Sequence, residues 1–520
     1  MRNRIVISSL ALMLAAFLLS FVCFATGEAK IRHDRTRDEV IEKHLEYPHS
    51  GFTAKTTEFK TAPVTKAPYS AGSLADEDVA DALNALKMVR FLAGVPYENT
   101  VFTEEYNNIS QHGAVLLASS NQFTHTPGKP IDMSQEFYDV AYKGCNLANL
   151  SAGKNNIANA IIGFVYDKGQ NNISHAGHRR WVLRPGGVQY GIGFAKGDAT
   201  YGGMRISMLV NTGAGAEADS FVAWPSSGAF PIQYFAASNT IENTVIDAPW
   251  SINLGAQYAA PTKATAVVKL TRESDGKVWI FDSSTPDLGA EMLSDDKLHY
   301  SVDNTGYGMK KGILIRPDLD SLGVIADGEI FTVEVSGIKY KDGKDATLSY
   351  SIEFFDLEKG IVEYTERKKA ESTAYIPPFP VVMNGITVDN LNLRYPFILY
   401  NNITYFPMTY HDSRFLGIGT TYTAEEGLGV FRLTENGAEY KGELGDEPNP
   451  EELTISVAEL PITVNGKTII NSEEEYPLLF FRDITYFPMT WRFGVDEFGW
   501  DYHFDSENGL VINTGKRDDE

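Results

Sequence analysis

Ser174-His175-Ala176-Gly177-His178-Arg179-Arg180-Trp181, continuing into Val182-Leu183-Arg184-Pro185, is the stretch whose reading decides the rest of this chain. It sets two imidazoles three residues apart beside a glycine that permits close backbone approach, and two arginines follow. Histidine titrates nearest neutrality and is the commonest metal ligand, so chemistry is sought here first. Arg179 and Arg180 suit a structural task, pinning a helix end to a carboxylate or carbonyl. Trp181 is expected in the core.

On the N-terminal side the pattern is helical. Asp76 or Asp78 opens a helix carrying Val79, Leu83, Leu86, Arg90 and Phe91, closed by Gly94 and Pro96. Thr103-Glu104-Glu105 opens a second, through Ile109, Gly113, Leu116 and Leu117, which leaves His125 just past its end. A third is expected from Asn156 to Tyr166. On the C-terminal side, residues 188–194 and 204–210 alternate as strands. Helices followed by strands in one segment predict an α+β unit over residues 71–215.

Farther out, Met1-Arg2-Asn3-Arg4 precedes an apolar run and small residues at Ala25, Gly27 and Ala29. Residues 1–27 therefore read as a signal peptide, with an uncleaved anchor as the alternative. Residues 28–70 are polar, hold Pro48, Pro63 and Pro68, and read as a linker exposing His33, His44 and His49. Residues 216–358 contain short strand-like runs punctuated by Asp275-Gly276, Asp327-Gly328 and Asp342-Gly343, which predicts an antiparallel β-sandwich. A second linker is expected at 359–379.

The last part repeats itself. Asn384-Gly385 recurs as Asn465-Gly466, and Ile403-Thr404-Tyr405-Phe406-Pro407-Met408-Thr409 as Ile484-Thr485-Tyr486-Phe487-Pro488-Met489-Thr490. The common offset divides this part into two small α+β repeats, 380–435 and 460–514, around an acidic linker at 436–459. Asn-Gly is the type I′ hairpin signal, so each copy begins with a hairpin.

The length of 520 residues exceeds one core, and the predicted class is multidomain α+β. A net charge of -23 repels phosphate backbones and argues against a nucleic-acid partner. Beyond the leader no stretch is apolar enough to span a bilayer. Once the leader is removed Cys145 is the only cysteine, so no internal disulfide forms and core size must supply stability. Nothing in the sequence supplies a base beside Cys145, so an inert buried thiol is expected. There is no Gly-x-Ser-x-Gly elbow, no His-Glu-x-x-His helix and no Walker loop.

Residues 78–210 resemble the CAP superfamily (cysteine-rich secretory, antigen and pathogenesis-related proteins) in a disulfide-free bacterial, SCP-like form. The resemblance rests on Arg90-Phe91-Leu92-Ala93-Gly94, Phe123-Thr124-His125 and Asn149-Leu150-Ser151-Ala152-Gly153. It continues in Gly177-His178-Arg179, Leu183-Arg184-Pro185 and Gly191-Ile192-Gly193. It implies an α-β-α sandwich whose cleft holds two histidines and two glutamates, sometimes around a metal ion. His125 and His178 match the family histidines. Ala148 stands where one glutamate is usual, the other is also absent, and Asp167 is the nearest carboxylate. The two C-terminal copies resemble the copper amine oxidase N-terminal-type domain, which in that family is a stalk without copper or catalytic centre. Residues 214–356 resemble β domains that follow CAP domains.

Two functions follow as expectations. The first is an exported, secreted or cell-surface binding protein whose CAP cleft takes a cell-envelope component or small ligand. The alternative is a peptidase-like, divalent-metal-dependent hydrolase. It would use His125 and His178 as ligands of a metal such as zinc and Asp167 as ligand or general base, with His175 as an alternative ligand.

Overall fold

A computed structural model describes residues 28–120, 122–169, 172–197, 204–210, 216–289, 296–433, 438–505 and 507–514. The expected signal peptide lies outside the described residues. The chain is mixed α and β and forms two compact units, Met1–Val362 and Glu363–Glu520. Among the described residues no helix is long and apolar enough to cross a membrane.

In the first unit, α1 (Arg37–Glu46) is followed by α2 (Asp76–Leu92), α3 (Glu104–Ser120), α4 (Gln135–Asn146), α5 (Ile157–Tyr166) and α6 (Gly177–Leu183). The cap of α2 differs from expectation. Its N-cap is Ala75, with no side-chain hydrogen bond, and Asp76, Glu77 and Asp78 instead stabilise the first turn through the helix dipole. The third expected helix is α5, with Asn156 as its N-cap, accepting from the backbone of Ala158 and Asn159. Helix α4 was not expected. Ser134 caps it, and its small residues Ala141 and Gly144 are buried with Cys145.

The helices flank a sheet of β1 (Val101–Phe102), β2 (Ala148–Ala152), β3 (Gln189–Lys196) and β4 (Met204–Val210), ordered β1-β3-β4-β2. Strand alternation sends neighbouring residues of β3 to opposite faces. A Cβ on Gly191 or Gly193 would stand 2.2 Å from Tyr106 or 2.4 Å from Ser110, both backbone atoms of α3. The Gly-Ile-Gly pattern is thus the surface on which α3 lies against the sheet. Tyr190 points the other way, and its hydroxyl meets Arg90 of α2 at 2.9 Å.

After the sheet come β5 (Phe221–Trp224), β6 (Gly228–Pro231), the short α7 (Ile232–Ala236), β7 (Trp250–Leu254), β8 (Val267–Arg272), β9 (Lys277–Phe281), β10 (His299–Asp303), β11 (Gly312–Arg316), β12 (Ile330–Lys339) and β13 (Asp345–Phe355). They form two sheets, β6-β13-β12-β8-β9 and β10-β11-β7-β5. The sheets face each other through aromatic side chains: Trp250 lies 5.5 Å from Phe331 and 5.9 Å from Phe354, between ring centroids. The expected β-sandwich is therefore present but not wholly antiparallel, since β6 pairs parallel with β13, and it shares one compact unit with the helical layer rather than standing apart.

The stretch 28–70 is not a free linker. Glu28–Ala29 pairs with Glu217–Ala218, Arg35 donates to Ser226 Oγ at 2.6 Å, and α1 buries Val40 and Ile41. Its histidines are engaged: His33 with Ser220, and His44 and His49 with Tyr234. Thr36 and Glu39 form a capping box that starts α1, a signal present in the sequence but outweighed by the prolines around it. Residues 359–379 likewise hold structure, since the helix Leu357–Glu371 occupies most of the expected linker.

In the second unit both Asn-Gly pairs have positive φ at both positions, 47° and 80° in the first copy, 48° and 77° in the second. The copies do not fold as two separate modules. Strand Val381–Met383 of the first pairs with Gly509–Asn513 of the second, and Gly427–Arg432 of the first pairs with Ile462–Val464 of the second. Ile403–Pro407 and Ile484–Pro488 pair antiparallel about Phe406 and Phe487. One core takes Val381, Met383, Phe406, Val464, Phe487 and Ile512 from both copies.

The acidic segment expected as a linker contributes Glu452–Thr454 and Ser456–Val457. These form the two ends of a seven-strand ladder, and only Ile455 separates them. The ladder therefore closes on itself as a small barrel, with Leu453 and Ile455 packed against Tyr405 and Tyr486.

Candidate functional site

Helix α5 ends at Tyr166, and Asp167 adopts a left-handed backbone with φ 46°, a conformation short polar side chains tolerate. His178 is the second residue of α6. Its Nδ1 stands 2.8 Å from Asp167 Oδ1, while Oδ2 accepts the Arg179 backbone N–H at 3.2 Å. Both carboxylate oxygens are thereby used. Asn149 of β2 donates to the His178 carbonyl at 3.1 Å, and the Phe164 ring lies 5.6 Å from the imidazole. Burial lowers the His178 pKa, but the charge and hydrogen bond of Asp167 outweigh it and the net value is raised.

The arginines beside it act as rivets. Arg179 is fully buried, donating to the carbonyls of Val165 at 2.5 Å, Tyr166 at 2.9 Å and Pro249 at 2.7 Å, and to Ser251 Oγ at 3.0 Å. Burial brings its pKa down to about 10 against the charge of Asp167, so it stays cationic at neutral pH. Arg180 meets Asp303 Oδ2 at 2.6 Å and also donates to the Met309 carbonyl. Arg90 of α2, equally buried, reaches the Val182 carbonyl at 2.7 Å and the Arg184 carbonyl at 3.1 Å. The motif thus ties α2, α5 and the β-sandwich together through one short helix.

His175 and His178 engage different carboxylates. The His175 Nδ1 lies 3.1 Å from Asp303 Oδ2, the oxygen that also meets Arg180. His175, the alternative ligand, is held through Nδ1 by Asp303, the last residue of β10, and among the described residues it belongs to no set of three ligand-type side chains. His125 is exposed, with Nδ1 3.0 Å from the Cys145 carbonyl. A carbonyl only accepts, so this nitrogen carries the proton. His125 and His178 thus both attach to the segment 145–149, and each spends Nδ1 on an acceptor. Among the described residues no hydrogen bond or ring contact joins the two rings.

The expected metal centre is incomplete. Among the described residues no three His, Cys, Asp or Glu side chains converge as a ligand set. Ala148 is buried and its side chain offers no ligand atom. Asp167 orients His178, and its oxygens are already taken. A catalytic zinc needs three protein ligands with one position left open, and the two expected histidines, His125 and His178, would be only two of them. Cys145 is buried, donates to the Gly113 carbonyl at 3.4 Å, and burial pushes its thiol up to about 12. It is the inert cysteine the sequence predicts.

Trp181 departs from expectation. It is half-buried and lines a cavity of about 450 Å³ with Arg184, Asn253, Lys310 and Lys311, with the Arg184 guanidinium 5.4 Å from its ring centroid. The motif itself contained Trp181 and Arg184; Asn253 and the lysines carried no sequence signal. Set against known proteins, the chain matches no family model and no curated relative.

Proposed function

We propose that this is an exported, cell-envelope-associated binding protein. In this reading the first unit is a CAP-type α-β-α layer presenting the face around His125 and His178. The β-sandwich and the two copper amine oxidase N-terminal-like copies act as scaffold. One observation carries it: both oxygens of Asp167, Nδ1 of His175 and of His178, and the Arg179 guanidinium are engaged in holding the fold, and Arg180 pairs with Asp303. Helices on both faces of the β1–β4 sheet support the CAP resemblance. The fold alone does not fix the chemistry.

The test is co-sedimentation of residues 28–520 with purified bacterial cell walls. Saturable pelleting without release of soluble peptide or sugar is expected. Protein that stays in the supernatant contradicts the reading. A metal-dependent hydrolase is the second reading, favoured by one feature: both imidazoles use Nδ1 on an acceptor, and an acceptor held there is what aims Nε2 at a metal in histidine metal sites. Release of soluble fragments that a chelator stops would support it.

A further inference from the structure

His178 is not among the residues that line the cavity beside Trp181. The cavity is walled by the end of α6 with Arg184, Pro185 and Gly186, the strand Glu217–Ala218, the end of β7, and the loop 306–311. Its volume of about 450 Å³ falls within the usual range for small-molecule sites, roughly 300–1,000 Å³.

Two features give it chemistry. Arg184, Lys310 and Lys311 face one carboxylate, Glu217, so the cavity is cationic in a chain of net charge -23. Lys310 is exposed and makes no ion pair among the described residues. Lys311 donates to the Gly255 carbonyl at 2.9 Å and sits 3.9 Å from Glu217. Burial lowers the Lys311 pKa; Glu217 opposes this, and Lys341 and Lys310 add to it, so a bound anion would relieve the site.

The second feature is Asn253. Along β7, Ser251 and Asn253 share the face turned from the sandwich core, and Ser251 meets Arg179 there. Asn253 is 3% exposed, lines the cavity, and its Oδ1 has no hydrogen-bond partner. A buried acceptor left unpaired is costly, and a ligand N–H or O–H would satisfy it.

We propose that this cavity binds a small organic acid that carries a carboxylate for Arg184, Lys310 and Lys311 and an N–H or O–H donor for Asn253. Sugar acids and the C-terminal residues of peptides share that chemistry.

Saturation-transfer NMR on residues 28–520 tests it with two acids, glucuronic acid and alanyl-alanine, each beside its neutral counterpart, glucose or alanyl-alaninamide. At least one acid should saturate below ~10 mM and its neutral counterpart bind at least about tenfold more weakly. Which acid binds identifies the source. Lys310→Gln and Asn253→Leu should each weaken that acid about tenfold with the melting temperature held or raised. Lys310 is exposed and unpaired, so its variant keeps the fold and the test remains decisive. The inference is overturned if neither acid saturates in that range, or if Lys310→Gln leaves the affinity unchanged.

Discussion

Arg179 gives up all contact with water and recovers it as four hydrogen bonds, three of them to backbone carbonyls. Removing the side chain strands those acceptors in the interior, so Arg179→Ala should destabilise the first unit by about 3–5 kcal/mol in urea unfolding. A loss under 1 kcal/mol would show that the rivet is dispensable. His178 carries the pH signature. Its folded pKa is raised by Asp167, so the pair's stabilisation is full below the ordinary value of 6.5 and fades as pH rises through the folded value. Asp167→Asn leaves burial unopposed, so the His178 titration followed by NMR should move to below 6.5. At this scale the sequence was partly legible. Two adjacent arginines after a glycine announced pinning. The partners Pro249, Ser251 and Asp303 lie in later strands and loops, and nothing local names them.

At the scale of elements, the N-terminal segment shows how a polar run becomes structure. The Gly51 N–H donates to His49 Nδ1 at 3.1 Å, so the His49 proton is on Nε2 and points at the Tyr234 hydroxyl. That hydroxyl in turn donates to His44 Nδ1 at 3.0 Å. Tyr234→Phe breaks both links and should cost about 1–3 kcal/mol. Burial, with help from His44, pushes His49 down to about 3, and burial lowers His44 too. A depressed imidazole stabilises above its unfolded pKa, so stability should fall as pH drops from 6.5 towards about 3. Urea midpoints across that window should fall less in His49→Gln than in the parent chain; equal slopes would contradict the latch. The histidines read as linker residues because prolines broke the periodicity, and their partner lies about 190 residues away. Gly193, by contrast, was recognised as part of a motif without its reason. Its missing Cβ admits α3, and Gly193→Ala should cost about 1–3 kcal/mol.

At the scale of the whole molecule, the repeat was plain in the sequence while its use was hidden. A hairpin pattern specifies a strand's own turn and leaves open which edge it will join. Here each copy joins the other's edge, and both fill one core. Residues 363–514 should therefore give a dispersed NMR spectrum and one cooperative unfolding transition, while residues 363–435 alone stay unfolded. A folded single copy would contradict the shared core. The same distinction separates motif from function, because residues that look catalytic in sequence are bonded into the scaffold. The most direct test is calorimetric titration of zinc into residues 28–520 and their His178→Ala variant. The account predicts no saturable heat that the variant lacks; stoichiometric binding abolished by His178→Ala would contradict it.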